Sequence, residues 1–218
     1  MEICNKIRKT FPNLALLTLA YELEAVLKDC RSVLDIGCGN NSPLRLINNK
    51  NKYFVGVDIY YPREKRKIHH RYIQADASDI NKHFKPKSFD AVVALDLIEH
   101  LPKKQGINLI EKMENIAKRK IVILTPNGFV KQTADDNSFQ EHVSGWEIKD
   151  FARKGFFVRG IYGLKFLRKE RAELKFKPKI ISGIISEISH YVLTKYFPKY
   201  SYSLIAFKEI YDKWNYKK

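Results

Sequence analysis

The sequence predicts an α/β fold: a doubly wound, mostly parallel seven-stranded sheet with helices on both faces. Three observations predict it. Apolar runs of strand length alternate with segments of helical period, the first run breaks into a glycine turn, and four successive runs end on a carboxylate, at Asp35, Asp58, Asp76 and Asp96. In such a sheet the ligand crevice lies beyond the carboxyl ends of the strands, which is where those four side chains fall.

Residues 13–29, NLALLTLAYELEAVLKD, carry apolar positions at helical spacing after Pro12 and predict an amphipathic helix covering the sheet edge, with Leu16, Leu19, Leu23 and Leu27 in the core. Ser32-Val33-Leu34-Asp35-Ile36 is the first strand, broken by Gly37-Cys38-Gly39-Asn40-Asn41. Ser42 as N-cap and Pro43 at the first helical position then predict a helix. Glycines 37 and 39 admit positive φ and close backbone approach, and a helix N-terminus adds free N–H donors, so a polar or anionic ligand fits this turn. The third glycine of the dinucleotide fingerprint is missing, since position 42 is Ser.

A second buried strand, 53–57, delivers Asp58 at about the spacing where an acidic side chain accepts hydrogen bonds from ribose hydroxyls. Residues 60–67 read as a basic surface connection with two tyrosines, and His69 and His70 as surface histidines with no carboxylate or Cys at metal-ligand spacing. Strands at 72–75 and 89–95 come next. Residues 103–119 form the next helix, with Ile107, Ile110, Met113 and Ile116 on one stripe and Gly106 as a blemish; Ile121–Leu124 is the fifth strand, closed by the Thr125-Pro126-Asn127-Gly128 turn. Ser144 and Glu147 read as a capping box opening a helix over 145–154 that stops at Gly155. Residues 156–162 and 202–207 are the sixth and seventh strands.

Asp35-Ile36-Gly37-Cys38-Gly39, Asp58, Gln74-Ala75-Asp76 and Asp96-Leu97-Ile98-Glu99-His100-Leu101 together resemble the successive motifs of class I S-adenosylmethionine-dependent methyltransferases, nearest the broad small-molecule (type 11-like) branch, over roughly residues 30–163. The resemblance implies a methyltransferase that binds S-adenosyl-L-methionine and releases S-adenosyl-L-homocysteine. It places the cofactor on Asp35, Gly37, Cys38, Gly39, Asp58, Ile59, Asp76, Ala77, Asp96 and Leu97, with the amino-acid end near the glycines, ribose on Asp58 and the adenine amine near Asp76. It also implies an antiparallel last strand and late acceptor-binding insertions. Where the family often has a third glycine this chain has Asn41, the residue that best tolerates a left-handed backbone after glycine.

At 218 residues the chain is read as one methyltransferase domain, 1–218, with an N-terminal helical segment, 1–30, and an inserted acceptor-side helical segment, 165–200. There is no transmembrane run and no signal-peptide pattern at Met1-Glu2-Ile3-Cys4-Asn5-Lys6, so the expected place is cytoplasmic, with contact at the inner face of a membrane left open. Cys4, Cys30 and Cys38 are unpaired in spacing and fit neither a disulfide framework nor a zinc site; no metal-ligating set is read. The net charge is +16, and residues 149–218 carry 17 basic against 6 acidic side chains. An anionic partner such as RNA or a phospholipid surface would suit that asymmetry, but 29 of the basic residues are Lys and 11 Arg, whereas base and phosphate recognition favours the planar Arg fork, so a solvated surface is the simpler reading.

Methyl transfer from a sulfonium needs in-line positioning, and a base only where the acceptor is a hydroxyl. The candidate bases are His142, in a connection long for a compact domain, and His100, which comes after the fourth strand and frames the pocket while Glu99 caps or pairs locally. The Asn/Asp-Pro-Pro-Tyr motif of amine methylation is absent after the fourth strand and no Cys follows Pro, so neither nucleobase class is supported. In 165–200, Ile180, Ile181, Ile184, Ile185, Ile188, Tyr191 and Val192 make a helical apolar stripe between Lys-rich flanks, suited to a membrane interface or a lid over a greasy acceptor, and equally to packing on the sheet or in a dimer. The expected function is methyl transfer to a small, lipophilic or glycan-type acceptor, with an RNA methyltransferase or a catalytically silent cofactor-binding scaffold as alternatives.

Overall fold

A computed structural model describes residues 14–48, 50–60, 68–132 and 140–210; the N-terminal stretch with Cys4, and most of the basic connection at 61–67, lie outside the described residues. The strands are β1 (Ser32–Ile36), β2 (Tyr53–Asp58), β3 (Arg71–Gln74), β4 (Phe89–Leu95), β5 (Ala117–Pro126), β6 (Phe157–Leu164) and β7 (Ser201–Glu209). They form one seven-stranded sheet in the order β3-β2-β1-β4-β5-β7-β6. The pairs from β3 through β5 are parallel, and β7 inserts antiparallel between β5 and β6, as the family resemblance implies. The chain winds outward from β1 through β2 to β3, then returns to β4 beside β1. The resulting switch point opens a crevice at the carboxyl ends of β1 and β4.

Two apolar layers hold the sheet. On one face α3 (Lys103–Ile116, which comes after the short α2 at Ile80–His83) buries Leu109, Ile110, Met113 and Ile116 together with Trp146 and Phe151. On the other, α1 (Leu14–Leu27) buries Leu19, Leu23, Val26 and Leu27 against Val33, Phe54, Val93 and Val122. Each fully buried leucine is worth about 1.5–3 kcal/mol. The helix therefore covers the central face of the sheet rather than its edge, because its leucines match the alternate residues that β1, β4 and β5 turn to that side.

Two expected starts of helices come out differently. Ser42 does cap, its Oγ accepting from the Leu44 N–H at 3.1 Å, but the element it opens is only a four-residue 3-10 turn, Pro43–Leu46. Asn41 does not take a left-handed backbone; Gly37 and Gly39 do, at φ 68° and 50°. Farther on, α4 (Ile148–Ala152) is capped by Glu147 with Asp150, while Ser144 binds elsewhere. Gly106 is no blemish: a Cβ there would meet Trp146 Cζ2 at 2.4 Å, so the missing side chain is what lets the indole bury against α3.

The last helix, α5 (Lys179–Ser189), is inside out. It buries Ser182, Ser186, Glu187 and Ser189 and leaves Ile180, Ile181, Ile184, Ile185 and Ile188 45–56% exposed. Its backbone sits directly on β6, since a Cβ on Gly163 would lie 2.2 Å from the Ser186 carbonyl oxygen. Only small side chains fit between, and they are polar because they satisfy backbone groups: the Ser186 hydroxyl donates to the Tyr162 carbonyl at 2.9 Å and accepts from Arg168 Nη2 at 2.9 Å. Toward α1, Thr18 donates to the Glu187 carboxyl, and the buried Glu22 pairs with Arg159 at 2.7 Å and Lys195 at 2.6 Å. Burial alone would raise the Glu22 carboxyl, but those two cations outweigh it and hold it below its ordinary value.

Candidate active site

The crevice has two sides. At the first, the turn after β1 is fastened to β2: the Gly37 and Cys38 N–H groups donate to the Val57 carbonyl at 2.8 and 3.2 Å. Asp58, at the end of β2, accepts from the Gly39 N–H at 2.8 Å and from the Tyr60 N–H at 3.0 Å, one on each oxygen. Its carboxylate is thus fixed in orientation with lone pairs remaining on both oxygens. Asp35 lies beneath the turn, 1% exposed, and accepts from Ser42 Oγ at 2.6 Å and His69 Nε2 at 2.8 Å, so it braces the glycine turn. His69 is accordingly not a surface histidine: it is buried, with Nδ1 on the Tyr72 hydroxyl at 2.9 Å. His70 is the exposed one of the pair.

The Cys38 thiol is buried, packed where a Cβ on Gly56 would come within 2.8 Å, and burial, then Asp35, push its titration upward, so it is inert. The space above Gly39 is open, whereas a Cβ on Gly37 would meet Leu97 at 2.6 Å. Asp76 is exposed and accepts from the Ser78 N–H at 2.6 Å, leaving its second oxygen available, and Gln74 ties Ile59 by its carbonyl at 3.0 Å. Ala77, just after Asp76, packs on the core.

The second side is a cleft of about 250 Å³ over the ends of β4 and β5, bounded by Asp96, Glu99, His100, His142, Tyr162 and Tyr202. The loop that carries His142 is pinned to the turn that carries Glu99 and His100. Val143 and Ser144 donate their N–H groups to the Glu99 carbonyl at 2.9 and 3.1 Å, and Ser144 Oγ and Trp146 Nε1 both donate to the Ile98 carbonyl at 3.2 Å. With Trp146 anchored in the core, His142 is brought beside His100, ring centroids 4.9 Å apart. His100 Nδ1 lies 3.0 Å from the Glu141 carbonyl and His142 Nδ1 2.6 Å from the Val130 carbonyl, so each Nδ1 carries the proton and each Nε2 keeps its lone pair. Burial lowers the titration of both imidazoles.

Glu99 is not the local cap or pair its sequence position suggests: it is 2% exposed and its Oε2 has no hydrogen-bond partner. Burial first, and then Asp96, push its carboxyl well above the ordinary range. Asp96 keeps a face open to solvent, yet the walls of the cleft crowd its carboxyl and push it up to about 7. Four non-glycine residues bordering this cleft, Asp96, Tyr162, Arg171 and Ala172, hold positive φ of 55–67°. Such conformations cost on the order of 1–3 kcal/mol each and concentrate where a site must be shaped. Tyr162 and Tyr202 were invisible to motif reading because they arrive from β6 and β7, far along the chain.

A family model described as methyltransferase domain matches residues 34–130, which takes in the glycine-turn side of the crevice and the Asp96–His100 turn of the cleft. Those residues form a methyltransferase domain, consistent with the class I S-adenosylmethionine-dependent enzymes. The chain is 26% identical over 156 residues to an uncharacterized protein of Methanocaldococcus jannaschii, a match spanning 71% of this chain and 66% of that one. An S-adenosylmethionine-dependent methyltransferase of Archaeoglobus fulgidus superposes with TM-score 0.60 at 17% identity, covering 93% of this chain and 97% of that chain. The small RNA methyltransferase HEN1 superposes with TM-score 0.57 at 16% identity, covering 93% of this chain but 26% of that one. At these identities the superpositions establish the fold. Among the described residues no helix is long and apolar enough to cross a membrane.

Proposed function

We propose that the protein is an S-adenosylmethionine-dependent methyltransferase that transfers the methyl group to a hydroxyl of a small lipophilic acceptor that it meets at an anionic membrane surface. The observation that carries this reading is α5, which turns its isoleucines to solvent and its serines to the sheet. Tyr191, Val192, Tyr196 and Phe197 extend the same apolar surface at 49–69% exposure, and Lys175, Lys177, Lys179 and Lys199 flank it. A contiguous apolar face rimmed by lysines is the pattern of a helix lying in a lipid headgroup region, where the lysine stems follow the apolar surface and the ammonium groups meet phosphate. The segment that leads into α5 supplies Arg171 and Ala172 to the cleft, which joins the proposed lipid face to the acceptor side.

In this reading the donor rests on the Gly37–Gly39 turn, its ribose hydroxyls on the remaining lone pairs of Asp58 and its adenine amine on Asp76, with Asp96 and Leu97 bordering the sulfonium. The acceptor oxygen enters from the Tyr162 side of the cleft. Its lone pair forms the bond to the methyl carbon as the carbon–sulfur bond breaks in line, the electron pair passing to sulfur to give S-adenosylhomocysteine. The hydroxyl proton passes to an unprotonated imidazole Nε2 at the cleft, that of His142. Vesicle co-sedimentation tests the surface. Full-length protein should bind vesicles containing phosphatidylglycerol, and Ile184→Asp with Ile188→Asp should abolish that while changing S-adenosylhomocysteine affinity less than about threefold, under ~1 kcal/mol. Undiminished vesicle binding by the double variant, or none by the parent, contradicts the reading.

RNA as acceptor draws on the +16 charge and on the likeness to HEN1. Salt-sensitive RNA binding accompanied by methylated RNA product would replace the lipophilic reading; salt-sensitive binding without product is the non-specific electrostatics that a lysine-rich surface gives.

A further inference from the structure

Glu99, His100 and His142 each offer one ligand atom, and these atoms lie within 4.8 Å of one another. Three features distinguish the group from a chance meeting of polar side chains. Glu99 is 2% exposed and has a buried oxygen at the cleft with nothing bonded to it, an arrangement that costs stability unless something arrives to satisfy it. Both imidazoles donate Nδ1–H to a backbone carbonyl, at Glu141 and Val130, the arrangement by which a protein fixes the tautomer and aims Nε2 at a cation. Asp96 adds a second carboxylate to the same cleft. Each feature has its own structural cause, since the Glu99 and His100 positions come from the turn after β4 and the His142 position from the Trp146 anchor.

We infer that Glu99, His100 and His142 form a divalent-metal site on the acceptor side of the cleft. Two imidazoles and a carboxylate on one side of an open cleft suit a first-row divalent ion such as Mn²⁺ or Zn²⁺, which retains positions for solvent or a substrate oxygen; Mg²⁺ favours an all-oxygen octahedron and fits the set less well. The role of the ion, though not its binding, rests on the hydroxyl-acceptor reading above. Bound there, the ion takes both Nε2 lone pairs, so His142 no longer accepts the proton. The acceptor hydroxyl binds the ion, which lowers its pKa; its proton leaves to water at the cleft mouth, and the oxygen's lone pair then attacks the methyl carbon while the electron pair of the carbon–sulfur bond goes to sulfur.

Titration of Mn²⁺ into chelator-treated full-length protein, read by the loss of the free-ion paramagnetic resonance signal, tests binding, with Zn²⁺ by calorimetry in parallel. The expected result is one saturable site per chain, weakened at least about tenfold by His142→Ala and by Glu99→Gln, each of which keeps S-adenosylhomocysteine affinity within about threefold as evidence of an intact fold. Absence of saturable binding in the parent, or equal binding in both variants, overturns the site. The role is tested by methyl transfer before and after chelation: loss restored by Mn²⁺ supports it, and transfer indifferent to chelation overturns it and returns the proton to His142. A product methylated elsewhere than on oxygen would overturn the hydroxyl reading and leave the Mn²⁺ titration standing.

Discussion

The proposed donor side and the proposed acceptor side of the crevice stand on the same sheet and differ in how their polar atoms are used. On the donor side Asp35, Asp58 and Asp76 each accept at least one hydrogen bond from the protein, and those bonds fix the carboxylates before any ligand arrives. On the acceptor side Glu99 has a buried oxygen without a partner, and His100 and His142 hold Nε2 free. A cofactor shared by many reactions can be met by a rigid, self-satisfied frame, whereas the acceptor side leaves its bonding capacity for what enters. Interior strain divides in the same way: the left-handed residues of the donor turn are glycines, which adopt it without a steric penalty, and those of the acceptor cleft are Asp96, Tyr162, Arg171 and Ala172.

The largest expected effect comes from the acceptor side. His142→Ala should lower methyl transfer by about 10²–10⁴, because His142 either holds the ion that activates the acceptor hydroxyl or, without an ion, takes its proton, in a single-turnover assay with labelled S-adenosylmethionine. A change smaller than about threefold would mean that the two sides are not divided as described. Next is the anchor between them. Trp146→Ala should cost about 3–5 kcal/mol in urea unfolding, because it empties the space beside Gly106 and frees the loop that carries His142. Wild-type stability in that variant would remove the reason for His142 to sit where it does.

The smaller effects concern the two helices at the other side of the molecule. Leu23→Ala in α1 should destabilise by about 2–5 kcal/mol, whereas Ile184→Asp with Ile188→Asp in α5 should shift the unfolding free energy by less than about 1 kcal/mol, since exposed substitutions cost little. Equal losses would mean that α5 packs its isoleucines after all.

The sequence made the sheet readable because its runs are of strand length and each of the first four ends on a carboxylate; the direction of β7 came from the family resemblance. It misjudged what depends on distant partners. His69 reads as a loop histidine until Asp35 and Tyr72 close on it, 34 and 3 residues away. Glu99 reads as a local cap until the Ser144–Trp146 stretch covers it. Whether the isoleucine stripe of α5 packs inward or faces out was left open, because helical period gives two faces without saying which is inward, and Gly163 of β6, which seats Ser186, lies some twenty residues earlier. His142 was found through the length of its loop, and its partner His100 through the motif, but nothing local says that the two rings meet.

The division between the two sides is tested most directly by calorimetric titration of S-adenosylhomocysteine into the parent, Asp58→Ala and Glu99→Gln proteins. The parent should bind at one site, Asp58→Ala should lose about tenfold or more because the ribose hydroxyls lose their oriented acceptor, and Glu99→Gln should bind within about threefold of the parent. Failure of the folded parent to bind, or an equal loss in both variants, would contradict the account.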